Sequence, residues 1–277
     1  MLKSALRSVA IGAAAITACG VMATAATAAP GAGSGKSLNV RETKSALTGI
    51  PKSLSAGQYN VHFQGPASGN GIFFQFIRLS KGYSQQQMLG DLQADFTGKS
   101  TRAQRTRLYS RAFFAGGSSM PTDSYSAYLA PGSYVVGDFI NGKIQALTVT
   151  KGSGPATPSA GGTIKAVTMK DGMLAFDVAG AIPHGKALKF VNNTDQPHFI
   201  SLAKLQKGGT AKGCVMAGKG CAPGYNSGTI SKGESEVISA SALGLTPGKY
   251  VVACYIPDVK TGAPHAMMGM YKEFTVK

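Results

Sequence analysis

Apolar residues in this chain come in short runs set between turn formers. Tyr134-Val135-Val136 follows Pro131-Gly132, Tyr250-Val251-Val252 follows Pro247-Gly248, and Phe76-Ile77-Arg78-Leu79 runs into Lys81-Gly82. Branched and aromatic side chains suit a pleated, half-buried surface, and Pro and Gly interrupt it, so each run reads as a strand opened or closed by a turn. Gly (37) and Pro (13) are plentiful and Trp is absent, which adds to an all-β reading. One segment departs from it. In Ser84-Gln85-Gln86-Gln87-Met88-Leu89-Gly90-Asp91-Leu92 the spacing of Ser84 and Gln87 is that of a capping box and predicts a helix start.

The runs repeat. Leu129-Ala130-Pro131-Gly132-Ser133-Tyr134-Val135-Val136 answers Leu245-Thr246-Pro247-Gly248-Lys249-Tyr250-Val251-Val252, and Phe76–Gly82 answers Leu202–Gly208. Between the copies lies a Gly, Ser, Pro and Thr-rich stretch, 151–162, which predicts a linker joining a sandwich at 37–150 to a second at 163–277. About 250 residues follow the leader described next, comfortable for two domains with a modest core each. The copies differ near their ends: Val136 to Val149 is thirteen residues, Val252 to Val276 twenty-four. By alignment Asp138 stands in the place of Cys254 and Ile72 in that of His198.

The start of the chain reads as an export signal, 1–29: Lys3 and Arg7, an apolar run from Val9 to Ala23, then Ala26-Thr27-Ala28-Ala29. Ile16-Thr17-Ala18-Cys19-Gly20 also resembles a lipoprotein box, but the run stays small and apolar past Cys19, which favours cleavage after Ala29. No later segment is long and apolar enough for a membrane span. The expected location is secreted or in the cell envelope.

The formal charge is +16, or +14 without Lys3 and Arg7. For an exported protein this favours an anionic envelope polymer or an acidic protein partner, and no nucleic-acid motif accompanies it. A solvated face that keeps the protein soluble explains scattered lysines equally well; only Arg102-Ala103-Gln104-Arg105-Thr106-Arg107 is a cluster.

Three cysteines follow Cys19. Cys214 and Cys221 share one Gly-rich loop and are expected to form a disulfide. That leaves Cys254 unpaired in an oxidising compartment, where a thiol needs a use or a hiding place. It ends the strand Tyr250–Ala253, and His265 and Met270 follow within a seventeen-residue span. A thiolate, an imidazole and a thioether suit copper, and a trigonal site of two His and one Cys with a weak axial Met is that of an electron-transfer copper centre. His198, in Asn192-Asn193-Thr194-Asp195-Gln196-Pro197-His198, is the candidate second histidine. Each residue also has a plainer reading: Cys254 as a buried structural thiol, the histidines as solvated loop groups, and Met267, Met268 or Met270 as core fillers. His62 and His184 have no ligand-like neighbours. Neither spaced carboxylates nor a nucleophile elbow supports hydrolytic catalysis.

These residues resemble those of the cupredoxin (plastocyanin/azurin-like) family. The likeness rests on an Asn-rich turn before the first His, a Pro-Gly-x-Tyr strand running into Cys, and His-x4-Met, and it covers about residues 163–277. It implies two Greek-key β-sandwiches in tandem, the first without ligands, and one type 1 copper per chain on His198, Cys254, His265 and Met270. Two departures stand out: Cys-x10-His is longer than in the small members, and Phe199 replaces the Asn that usually follows the first His and ties the ligand loops together. The function implied is electron transfer to a redox partner protein through a ligating His edge near the surface, without enzymatic activity. Only four histidines exist, too few for a second copper site as well. The alternatives are a copper carrier without redox partners, or a metal-free structural or interaction protein of the envelope.

Overall fold

In the computed structural model the described residues are 35–66, 71–156 and 158–277; the leader and Cys19 lie outside them. The repeat seen in the sequence is a repeat of strand pairing. In the first half β5 (Phe74–Leu79) pairs antiparallel with β8 (Gly132–Asp138), setting Phe76 opposite Val136 and Arg78 opposite Tyr134. In the second, β13 (Ser201–Leu205) pairs with β16 (Gly248–Ala253), setting Leu202 opposite Val252 and Lys204 opposite Tyr250. The aligned residues thus occupy the same register positions in both copies.

Each pair sits in a sheet of its own. The first belongs to a five-stranded sheet in the order β3 (Ser53–Ser55), β9 (Lys143–Thr150), β8, β5, β6 (Ala112–Ser118). The second belongs to a four-stranded sheet, β14 (Cys221–Asn226), β13, β16, β17 (Tyr271–Val276). Both face one eight-stranded sheet that runs through the molecule. Its second-half strands are β11 (Leu174–Val178), β10 (Gly162–Thr168), β12 (Leu188–Asn192) and β15 (Ser235–Ile238); its first-half strands are β7 (Thr122–Leu129), β4 (Gly57–Gln64), β1 (Lys36–Glu42) and β2 (Leu47–Thr48).

The halves are therefore joined edge to edge. Strand β15 pairs antiparallel with β7, Glu236 opposite Ala127 and Ile238 opposite Tyr125. Such pairing buries an edge that would otherwise expose unpaired amide groups. Tyr225 adds a hydrogen bond to Asp123 Oδ2 (2.8 Å), and the Thr229 amide donates to Gln75 Oε1 (3.0 Å). The segment between β9 and β10 carries no strand among the described residues.

Two cores follow from period-two alternation. Val61, Phe63, Phe74, Phe76 and Val136 fill the first sandwich; Ile164, Phe190, Leu202, Val252, Cys254, Met270 and Phe274 fill the second. Strand neighbours of the opposite parity, Ile77 and Val135, point outward and bury Met88, Leu92 and Leu108. These last belong to two helices, α1 (Gln85–Phe96) and α2 (Arg102–Arg111), laid on the outer face of the five-stranded sheet.

Helix α1 begins with the expected box: the Gln87 amide donates to Ser84 Oγ (3.1 Å) and the Ser84 amide to Gln87 Oε1 (3.1 Å). The Arg cluster, read as surface charge, is α2, and its own capping box is Thr101 with Gln104. Arg105 is buried and Arg107 makes a two-pronged pair with Asp91, so only part of the cluster is free surface charge. Among the described residues no helix is long and apolar enough to cross a membrane.

Candidate metal centre

Cys254 and His198 arrive at one end of the second sandwich because β13 and β16 are neighbours. Cys254 directly follows β16, and its amide donates to the Met270 carbonyl (3.3 Å) at the start of β17. His198 precedes β13 and is bridged to Ile230 by paired backbone hydrogen bonds of 3.0 and 2.8 Å. His265 opens a single 3₁₀ turn, His265–Met268, pinned by Ala266 N–H to the Cys254 carbonyl and by Met270 N–H to the His265 carbonyl.

The three candidate donors converge. His198 Nδ1 lies 3.4 Å from Cys254 Sγ, His265 Nδ1 lies 3.7 Å from it, and the ring centroids are 4.7 Å apart. All three donor atoms lie within 4.8 Å of one another, the one such cluster among the described residues. A divalent ion bonded at about 2.0 Å to nitrogen and 2.3 Å to sulfur, with the bonds opened trigonally, would separate the two atoms by about 3.7 Å. The observed spacings fit an ion between them.

The other ring nitrogens settle the tautomers. His198 Nε2 is 2.8 Å from Thr194 Oγ1, whose own proton is directed to Asn192 Oδ1 or the Gln196 carbonyl, both 3.0 Å away. The hydroxyl therefore accepts from His198 Nε2–H. His265 Nε2 is 3.3 Å from Gln196 Oε1, an acceptor. Both Nε2 atoms thus carry the proton and both Nδ1 lone pairs face the sulfur, the arrangement in which an imidazole serves as a ligand. One thiol proton can satisfy only one of them.

Burial decides the protonation states. Cys254, His198 and His265 are at most 1 % exposed. Loss of solvent pushes the Cys254 thiol up to about 12, although the Phe199 and Ile256 amides directed at the sulfur partly offset it. It holds His265 down to about 4, against the pull of Asp258, and His198 well below its usual range, helped by the neighbouring His265. At neutral pH the site holds two neutral imidazoles and a protonated thiol.

The tie between ligand loops is made differently from the expectation. Phe199 packs against the core and only its backbone serves the sulfur. Gln196 binds the far loop: its Nε2 donates to Asp258 Oδ2 (2.9 Å) while Oε1 accepts from the Val259 amide (2.7 Å). Asp258 Oδ1 in turn accepts from the Lys260 and Thr261 amides at 3.0 and 2.8 Å, closing the turn at the start of the extra residues. The long Cys-x10-His loop is thus braced internally. Sequence reasoning passed over Thr194, Gln196 and Asp258; the turn-forming run Asn192–Gln196 before His198 was the available signal.

One expectation changes. No ligating His edge reaches the surface, since both rings are enclosed. Of the three competing methionines, Met267 and Met268 are about half exposed at 46 % and 47 %, whereas Met270 is buried in the cluster that contains Cys254. His62 and His184 are exposed and outside the site. The Cys214–Cys221 disulfide is formed and ties α3 (Ala211–Ala217) to the start of β14.

No family model and no curated protein matches the chain. Among solved structures it is similar over 87 % of its length to the blue copper oxidase of Nitrosomonas europaea, at 10 % identity, 85 % of that chain and a TM-score of 0.22. Over 42 % it is similar to rusticyanin of Thiobacillus ferrooxidans, at 20 % identity, 75 % of that chain and a TM-score of 0.26. It is also similar over 42 % to auracyanin of the photosynthetic bacterium Roseiflexus castenholzii, at 23 % identity, 94 % of that chain and a TM-score of 0.28. What points to copper here is the site itself, a buried two-histidine, one-cysteine set that fits a type 1 centre.

Proposed function

We propose that this protein is an exported one-electron carrier with one type 1 copper per chain, held by His198, Cys254 and His265, with Met270 as the weak axial donor. The observation that carries the reading is the convergence of two neutral Nδ1 lone pairs on one buried thiol. Without a cation that arrangement leaves an acceptor unsatisfied in a dry core, which is costly. Copper would supply a reversible one-electron couple, because imidazole and thiolate suit both of its oxidation states.

The chain's own residues do the rest. Thr194 and Gln196 hold the imidazole protons on Nε2 and aim both rings. The enclosing core keeps water out, so the donor set is shielded from rearrangement by solvent. Cys254 must lose its proton to solvent for its thiolate to hold a cation, so binding releases a proton and weakens as pH falls. With both rings enclosed, electrons would exchange through the surrounding side chains and backbone.

Export is supported by the leader and by the disulfide, which persists in oxidising compartments. A redox partner protein is the first expected partner, and the basic surface suits an acidic protein or an anionic envelope polymer. We read the protein as a carrier and not an enzyme, since its two other histidines are exposed and outside the cluster. The carrier-only reading keeps the same site without efficient electron exchange. Voltammetry of the copper-loaded protein separates the two. A reversible one-electron wave that tracks bleaching of the thiolate absorption is expected; bound copper with no reversible wave would leave a storage or delivery role.

A further inference from the structure

The first half is more than a ligand-free copy, because its added helices face the metal-donor loops across a cavity. That cavity has a volume of about 400 Å³, within the range of sites for small organic molecules. Its lining includes Leu92 and Phe96 of α1 together with Phe199 and Tyr255, the residues that directly follow His198 and Cys254. The lining is mainly apolar and ring-rich, and Asp95 and Tyr109 bring carboxylate and hydroxyl groups to it.

The polar pair has an unusual division of hydrogen bonds. The Tyr109 hydroxyl has one proton and two acceptors in reach, Asp95 Oδ2 at 2.8 Å and the Pro257 carbonyl at 3.0 Å. Asp95 also accepts from Ser100 Oγ (2.8 Å) on its other oxygen, so a new donor to Oδ2 competes there with the Tyr109 hydroxyl. Burial raises the Asp95 pKa, against the hydrogen bonds from Tyr109 and Ser100 and the pull of Arg105, so this largely apolar site disfavours charge and suits a neutral donor. Pro257 opens the braced loop in which Asp258 and Val259 hold Gln196, the residue that accepts from His265. Arg105 Nε also donates to the Val259 carbonyl (3.4 Å), so α2 touches this loop twice.

We propose that this cavity binds a small aromatic molecule bearing one neutral hydroxyl, which donates to Asp95 and so turns the Tyr109 proton toward the Pro257 carbonyl. Occupancy would then tighten the link from α2 to the loop that positions His265. Binding does not depend on the copper reading, and it is tested without metal.

The experiment is an amide NMR titration of the metal-free protein with 2-naphthylmethanol, and in parallel with 2-methylnaphthalene, which has the same rings and no donor. Saturable shifts at Leu92, Phe96, Phe199 and Tyr255 are expected, with the alcohol bound about tenfold or more tighter, as a hydrogen bond to a charged acceptor predicts. The alcohol should also shift Asp258, Val259 and His265. In Tyr109→Phe the cavity shifts should remain and the loop shifts should vanish. Absence of saturable binding, or equal binding of the two compounds, would overturn the site; loop shifts that persist in Tyr109→Phe would overturn the relay. A protein that fails to take up added Cu(II) but still binds the alcohol would leave this inference standing and sink only the electron-transfer reading.

Discussion

The same corner of the sandwich is occupied twice in this molecule, and the two solutions are opposite. In the second half the second residue after the Tyr-Val-Val run is Cys254, whose sulfur faces two ring nitrogens that cannot both be satisfied. At the matching position of the first half is Asp138, whose carboxylate is satisfied by neighbouring amides and also shares a hydrogen bond with the buried Glu42 carboxyl. Asp138 Oδ1 accepts from the Phe73 and Ile140 amides at 3.1 and 2.9 Å, and its Oδ2 accepts from Asn141 Nδ2 at 2.6 Å. Ile72 fills the place of His198, and β8 runs through a tight turn into β9 with no extra loop. One frame thus closes a strand end with a satisfied carboxylate, and the other leaves donors that ask for a cation. The lesson is that the frame sets where the corner is, and a few residues plus one insertion set what it can bind.

The comparison breaks most visibly at the groups that aim the rings. Thr194→Val keeps the shape and removes the acceptor of His198 Nε2–H; copper affinity should fall by about 10- to 100-fold, measured by competition with a chelator of known affinity. An unchanged affinity would mean that the ring is held by packing alone. The first-half counterpart is Asp138→Ala. It should leave copper affinity unchanged and destabilise the fold by about 1–3 kcal/mol in urea denaturation, because buried amides lose their acceptor. A loss of copper in this variant would show that the two corners are coupled.

A smaller effect lies where the halves meet. Glu236, on the strand that joins them, is fully enclosed; its Oε2 accepts from the Gly117 amide (3.1 Å) and its Oε1 has no partner. Burial, reinforced by Asp123, holds its pKa well above the usual carboxylate value. A raised native pKa means that the unfolded chain gives up the proton first. The stabilisation is complete below about pH 4.3 and declines as pH rises toward the native value. Glu236→Gln should therefore gain stability relative to the parent between pH 5 and pH 8 in urea denaturation of the metal-free protein. A constant difference across that range would contradict a protonated Glu236.

Much of this was legible in the sequence, and for definite reasons. Pro-Gly turns and β-branched runs encode strands locally, so the matched pairs Tyr134/Tyr250 and Val136/Val252 gave the repeat and its register. The donors were legible because a Cys, a His and a Met close in sequence at a strand end have few structural reasons to be together. The second helix was overlooked although Thr101 and Gln104 have the same box spacing as Ser84 and Gln87; its Arg residues drew attention to charge and away from capping. The continuous eight-stranded sheet was not legible, because nothing local in Ser235–Ile238 says that its edge pairs with Thr122–Leu129. Enclosure of the histidines was hidden for the same reason: burial of a loop residue depends on distant segments, here Gln196 and the braced loop 257–262.

The central claim is that Cys254, His198 and His265 form one copper site, and the most direct measurement is the visible spectrum of the purified protein during addition of Cu(II). The account predicts an intense thiolate-to-copper band that saturates at one equivalent and is absent from Cys254→Ser. No band, or a band that survives in Cys254→Ser, would contradict it.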